Sequence, residues 1–213
     1  MDSAAVLNLL EKMKVDANAK DSTEISWKAY RSAEKLNDPS LLPVLCLLIQ
    51  DNDNNKQKEL RKNIYFLMGS LLRKKMNVEY CQFLIDRLEI ETDKYVLLSM
   101  LNQISKLQIP NEINMNHVIE CSRSDQWLVR HNAINALHAS DSESCREAAR
   151  YWAKQLDEKK YKYEIIYANA CLNKIGVMED IEILDLHAHS RIKDIKDSAL
   201  FAIEAIKSRY ASG

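Results

Sequence analysis

Five histidines, His117, His131, His138, His187 and His189, are the side chains of this sequence best suited to metal ligation or proton transfer. Their spacing argues against both roles. His187 and His189 stand two apart and so point in different directions on a helix, while His131 and His138 flank Asn135 rather than a carboxylate. The expectation is satisfied or solvated imidazoles, with no metal site. No G-x-S-x-G, H-E-x-x-H or Walker pattern occurs, and three glycines in all leave little for a loop that cradles phosphate. No catalytic residue and no cofactor is therefore expected.

The aromatic residues suggest a second chemistry. Trp127, Tyr151, Trp152, Tyr161, Tyr163 and Tyr167 gather in one stretch, with Arg130, Arg146 and Arg150 among them. Flat rings beside guanidinium groups could form a cleft that stacks a base. Large aromatics at helical spacing are mostly core, however, so Trp127 and Trp152 are expected to pack between helices, with the cleft as the alternative.

The elements that must position these residues are helices. In 213 residues there are only three Gly and three Pro, too few for the turns of sheets or βαβ crossovers, and 46% apolar residues suffice for a core. The chain then repeats itself. Centred on Ala29, Ile64, Met100, Ala133, Ala168 and Ala199, the same helix face recurs at intervals of 35, 36, 33, 35 and 31 residues. Four residues to either side of each centre, eleven of twelve positions are apolar, Glu164 being the exception. Three residues beyond the centres come Ser32, Leu67, Gln103, Ala136, Cys171 and Ala202, mostly small, as close helix packing requires.

A second amphipathic segment follows in the first five units, beginning at Pro39, Asn77, Asn111, Ser142 and Met178. Asn37 to Ser40, Ile109 to Asn111 and Ser142 to Ser144 carry residues that end one helix and cap the next. Asp51 to Asn55 reads as a linker. The expected fold class is all-α, an α-α superhelix (solenoid) of about six stacked helical-hairpin repeats in a single domain over 1–213. Its units start near 22, 57, 92, 125, 160 and 191, and residues 1–20 are a candidate N-terminal cap helix.

Val129-Arg130, the small residues Ala133 and Ala136, and the preceding Asp125 resemble the V-R-x-x-A-x-x-A-L signature of HEAT repeats, especially the short type of bilin-lyase-like bacterial proteins. Leu60-Arg61 and Ile195-Lys196 keep the apolar-basic pair, whereas Val96-Leu97 and Glu164-Ile165 lose it. The resemblance implies a scaffold that holds a protein partner. A minority of the proteins it resembles bind nucleic acid or act as DNA glycosylases. In that alternative the cleft would comprise Asp125, Trp127, Arg146, Arg150 and Trp152, with Asp125 as the acid.

Charge favours the scaffold. Thirty basic and thirty-one acidic residues give a formal charge of -1, so no global field draws in nucleic acid or anionic membrane. The second-helix segments carry eleven acids against four bases, the first helices the opposite bias. Glu79, Asp86, Glu112, Glu120, Glu143, Glu147, Glu179, Glu182 and Asp185 form the candidate acidic ridge. If second helices line the concave side, as the resemblance implies, that ridge suits a protein or peptide partner of basic character and repels a phosphate backbone. The five cysteines are scattered singly, the N-terminal stretch lacks a signal-peptide pattern, and no eighteen apolar residues run together. A cytoplasmic protein with reduced thiols and no membrane span is expected.

Overall fold

A computed structural model describes residues 3–14, 22–52 and 55–211. Every regular element among them is helical, and the fold class is an all-α solenoid of helical hairpins. The helices fall into two compact units, 1–108 and 109–213.

The first unit holds α1 (Ser3–Met13), α2 (Ser22–Lys35), α3 (Leu41–Asp51), α4 (Lys58–Lys74), α5 (Val78–Ile90) and α6 (Lys94–Ile104). The second holds α7 (Asn116–Cys121), α8 (Trp127–Ala136), α9 (Glu143–Ala153), α10 (Lys162–Ile175), α11 (Ile181–Ala188) and α12 (Lys193–Ala211). The even-numbered helices are the six first helices expected from the repeat, and α3, α5, α7, α9 and α11 are the second ones. Only α7 is much shorter than its segment suggests. Residues 111–115 turn before the helix begins, and the Asn114 side chain accepts from Asn116 N at 2.9 Å.

The repeat centres form the core. Ile64, Met100, Ala133, Ala168 and Ala199 are fully buried, as are Ala136 and Ala202 one turn on. Small residues at these positions let α8, α10 and α12 pack directly on one another in the second unit. In the first unit α4 packs closely on α6. There Gly69 provides the room: a Cβ at that position would stand 2.5 Å from Gln103 Cβ. Within the second unit α9 and α11 touch only lightly, leaving a groove between them. Within the second unit the first helices are therefore packed more closely than the second ones.

Helix α1 packs on α2 and α4 at the start of the first unit. Tyr30 Oη donates to Asn63 Oδ1 at 2.6 Å, and Asn63 Nδ2 donates to the Leu10 carbonyl at 3.4 Å, so one buried amide ties all three helices. None of the three expected turns supplies a side-chain cap, and the caps fall on other residues. Asp93 accepts from Tyr95 N and Val96 N at the start of α6, and Asn77 from Tyr80 N at the start of α5. Ser142 and Ser40 stand at N-cap positions without a side-chain cap bond. Ser142 Oγ pairs with Ser144 Oγ at 3.2 Å, and Asp38 takes the hydroxyl and amide of Ser40. The linker expected at 51–55 lies partly outside the described residues.

Ion pairs clip hairpin to hairpin. Arg130 pairs with Glu164 and Arg150 with Asp180, each linking one repeat to the next, and Arg61 pairs with Glu91 at the end of its own repeat, where the next begins. The exception in the apolar column, Glu164, is thereby explained: it is 3% exposed and receives Arg130 Nη2 at 2.7 Å and His131 Nε2 at 3.1 Å.

Candidate partner-binding surfaces

The acidic second-helix residues separate into two groups by what they touch. Around Arg150 on α9, carboxylates crowd together. Its guanidinium donates to the buried Asp180, which also accepts from Val177 N at 2.8 Å, and to Glu143 and Glu147. The hydrogen bond that Arg150 donates to Asp180 leads the effects that push the Arg150 pKa further up, and together they outweigh its partial burial. Glu143 also accepts from Arg146 Nε at 2.9 Å, and its carboxyl is held below the usual range by Arg150 and Arg146. These groups border a groove of about 470 Å³ lined by four carboxylates, Glu143, Glu147, Glu179 and Asp180, against two cations, Arg150 and Lys154. Glu182 and Asp185 are exposed further along α11.

The remaining ridge candidates are exposed but more scattered. Glu79 and Asp86 lie on α5, where Asp86 accepts from Gln82 at 2.7 Å. Glu112 precedes α7, and Glu120 on α7 pairs with His117 at 3.1 Å.

The alternative cleft does not assemble as the sequence suggests. Trp152 is 7% exposed, donates its indole N–H to the Ser122 carbonyl at 3.1 Å, and packs against Tyr151 and Tyr161 with the Arg130 guanidinium over its ring. It belongs to the core, as helical spacing predicts. Arg146 and Arg150 are engaged by the carboxylates of α9 and by Asp180. Asp125 is exposed before α8, and its carbonyl takes a hydrogen bond from Arg130. A catalytic grouping of Asp125, Trp152 and Arg150 is not formed.

Trp127 behaves differently from Trp152. As the first residue of α8 it is 61% exposed, contrary to the expectation of core packing. It forms one wall of a recess of about 460 Å³, shared with Arg130, His131, Lys160, Tyr163, Glu164 and Tyr167. His131 stands between the rings, with centroids 5.5 Å from Trp127, 5.8 Å from Tyr163 and 5.4 Å from Tyr167. Its Nε2 is fixed by Glu164. Burial alone would raise the Glu164 pKa, but hydrogen bonds from Arg130 and His131 outweigh it and hold the carboxyl below its ordinary range.

The sequence named these aromatic residues and Arg130 as a cluster, and noted His131 and Glu164 separately, but did not bring those two or Lys160 into it. The signal available was the break in the apolar column at Glu164, whose partner Arg130 lies thirty-four positions earlier in sequence. Among the described residues no group of His, Cys, Asp and Glu could hold a metal ion, and no helix is long and apolar enough to cross a membrane.

No protein-family model and no curated protein matches the sequence. Solved structures do. An engineered protein studied by the Northeast Structural Genomics Consortium is 18% identical, with a TM-score of 0.57, over 94% of this chain and 97% of its own. A designed armadillo repeat protein is 14% identical, with a TM-score of 0.52, over 93% and 98%. Likeness at such identities shows a shared helical-repeat fold and nothing about what is bound.

Proposed function

We propose that this chain is a non-enzymatic, HEAT-like protein-binding scaffold whose α9–α11 groove receives a basic segment of a protein partner. The observation that carries the reading is the surplus of carboxylates around Arg150. Four line the groove against two cations, and Glu182 and Asp185 extend the negative surface along α11. A partner's Lys or Arg would gain from this field, and a phosphate backbone would be repelled. The repeat architecture supports a binding role because stacked hairpins present long surfaces without loops built for catalysis.

The test begins with bait comparison. Wild-type protein and the variant Glu179→Lys/Glu182→Lys are used to capture partners from lysate, and a partner retained only by wild type is purified. Its affinity is then measured by calorimetry at roughly 50 and 200 mM salt, below and above the physiological screening range. The reading expects affinity to fall about tenfold or more on charge reversal and to weaken with salt. A partner whose affinity is unchanged by both sinks the acidic-groove assignment.

A further inference from the structure

We infer that the recess between α8 and α10 is a binding site for a nucleoside phosphate, with the base stacked against Trp127 and Tyr163 and the phosphate met by Lys160. The site is separate from the α9–α11 groove in its residues, its composition and its charge, so the inference does not depend on the scaffold reading.

The geometry leads to this ligand class in three steps. Trp127 and Tyr163 are 61% and 57% exposed, an unusual placement for large rings on adjoining helices, and the recess they flank is open to solvent. Their rings are not in contact with each other. Each instead packs on His131, with interplanar angles of 60° for Trp127 and 46° for Tyr163. The imidazole they share is fixed, because Glu164 anchors both His131 and Arg130. A stacking platform held by a buried ion pair is formed before any ligand arrives.

Charge then selects among ring-binding ligands. Within the lining, the Glu164 carboxylate is occupied by Arg130 and His131. Lys162, whose ammonium lies 5.6 Å from the Tyr163 ring centroid, is paired with Asp194 at 2.7 Å. Lys160 is exposed, with its ammonium 4.7 Å from the Tyr161 ring centroid at the mouth of the recess. A recess with aromatic walls and a cation at its mouth favours a flat ring carrying an anionic group. It disfavours a quaternary ammonium, which the same rings would otherwise attract but Lys160 would repel.

The experiment is a calorimetric titration of the whole chain with AMP and UMP, beside a fluorescence-anisotropy titration with a labelled single-stranded decamer. Adenosine, inorganic phosphate and choline serve as comparison ligands. The inference expects AMP or the decamer to bind more tightly than adenosine or phosphate. Trp127→Ala should weaken that binding about 5- to 150-fold, the range for loss of one stacked base. Lys160→Glu should weaken it and flatten its salt dependence. Circular dichroism confirms that each variant folds. Preference for mononucleotide over decamer identifies a free nucleotide as the source, and the reverse identifies single-stranded nucleic acid. Absence of binding by both, phosphate binding as well as AMP, choline binding better than AMP, or indifference to Trp127→Ala each overturns the inference.

Discussion

Arg61 and Glu91 meet through two hydrogen bonds, Nε to Oε2 at 2.8 Å and Nη2 to Oε1 at 2.9 Å, with 2% exposure on each side chain. Glu91 also accepts from the amides of Thr92 and Asp93, so its carboxylate shapes the turn that leads into α6. Two charges removed from water in this way depend on each other: taking away one leaves the other buried and unpaired. Arg61→Met or Glu91→Leu alone should therefore lower unfolding free energy by about 3–5 kcal/mol. The double variant should lose much less than the sum of the two. Urea denaturation of all four proteins checks this, and additive losses would show that the pair is not coupled.

Gly69 lies on α4 where its missing side chain admits Gln103 of α6. The nearest atom to an added Cβ is Gln103 Cβ at 2.5 Å, not the mobile end of the side chain. Gly69→Ala should thus destabilise by about 1–3 kcal/mol despite the better helix propensity of Ala, since the helices must separate. Trimming the neighbour, in Gly69→Ala/Gln103→Ala, should not restore stability because the clashing Cβ remains. Restoration in thermal melts would contradict the close-approach account.

These two sites show where the sequence was legible and where it was not. The repeat period placed all six first helices, because buried positions recur with the helix and any error would have exposed an apolar column. Gln103 stood out in a column of small residues, yet its space comes from Gly69 on another helix, a pairing that no local pattern records. Glu164 likewise broke the apolar column, and the reason is an ion pair with Arg130, thirty-four positions away in sequence. The aromatic stretch divided unpredictably. Trp152, in the last turn of α9, is covered by its neighbours, whereas Trp127 begins α8 and has its ring left open to solvent. Spacing alone cannot tell a covered helix end from an uncovered one.

All five cysteines are free thiols, and burial is the first cause of a raised pKa in each that sets its reactivity. Cys46 and Cys121 are pushed up to about 11 and Cys81 to about 12. At pH 8 a thiol with pKa near 11 is ionised to about one part in a thousand, against roughly a quarter for an ordinary cysteine. Ellman's reagent should therefore react with the native protein on the order of a hundredfold more slowly than with the protein in urea, where five equivalents should appear quickly. A native thiol reacting at the unfolded rate would place that cysteine in an open, electropositive setting instead.

Glu164 gives the fold an acid-sensitive joint between α8 and α10. Its carboxyl titrates lower in the folded protein than in the unfolded chain, where an ordinary glutamate has a pKa of about 4.3. As pH falls, the unfolded state takes up this proton first, so the stability due to the ion pair is complete above the unfolded value and is lost as pH drops through the folded one. Urea midpoints should hold steady from pH 7 to about 5 and fall below about pH 4. Glu164→Gln should be less stable than wild type at pH 7, by about 1–3 kcal/mol, because Arg130 and His131 lose a charged acceptor. Its acid limb should also be shallower. Other carboxylates, Glu158 and Glu143 among them, are held low as well, so the difference between the two limbs isolates Glu164. Limbs of equal slope would mean that Glu164 is neutral or equally acidic in both states, and the Arg130–Glu164 clip would then contribute no pH dependence to folding.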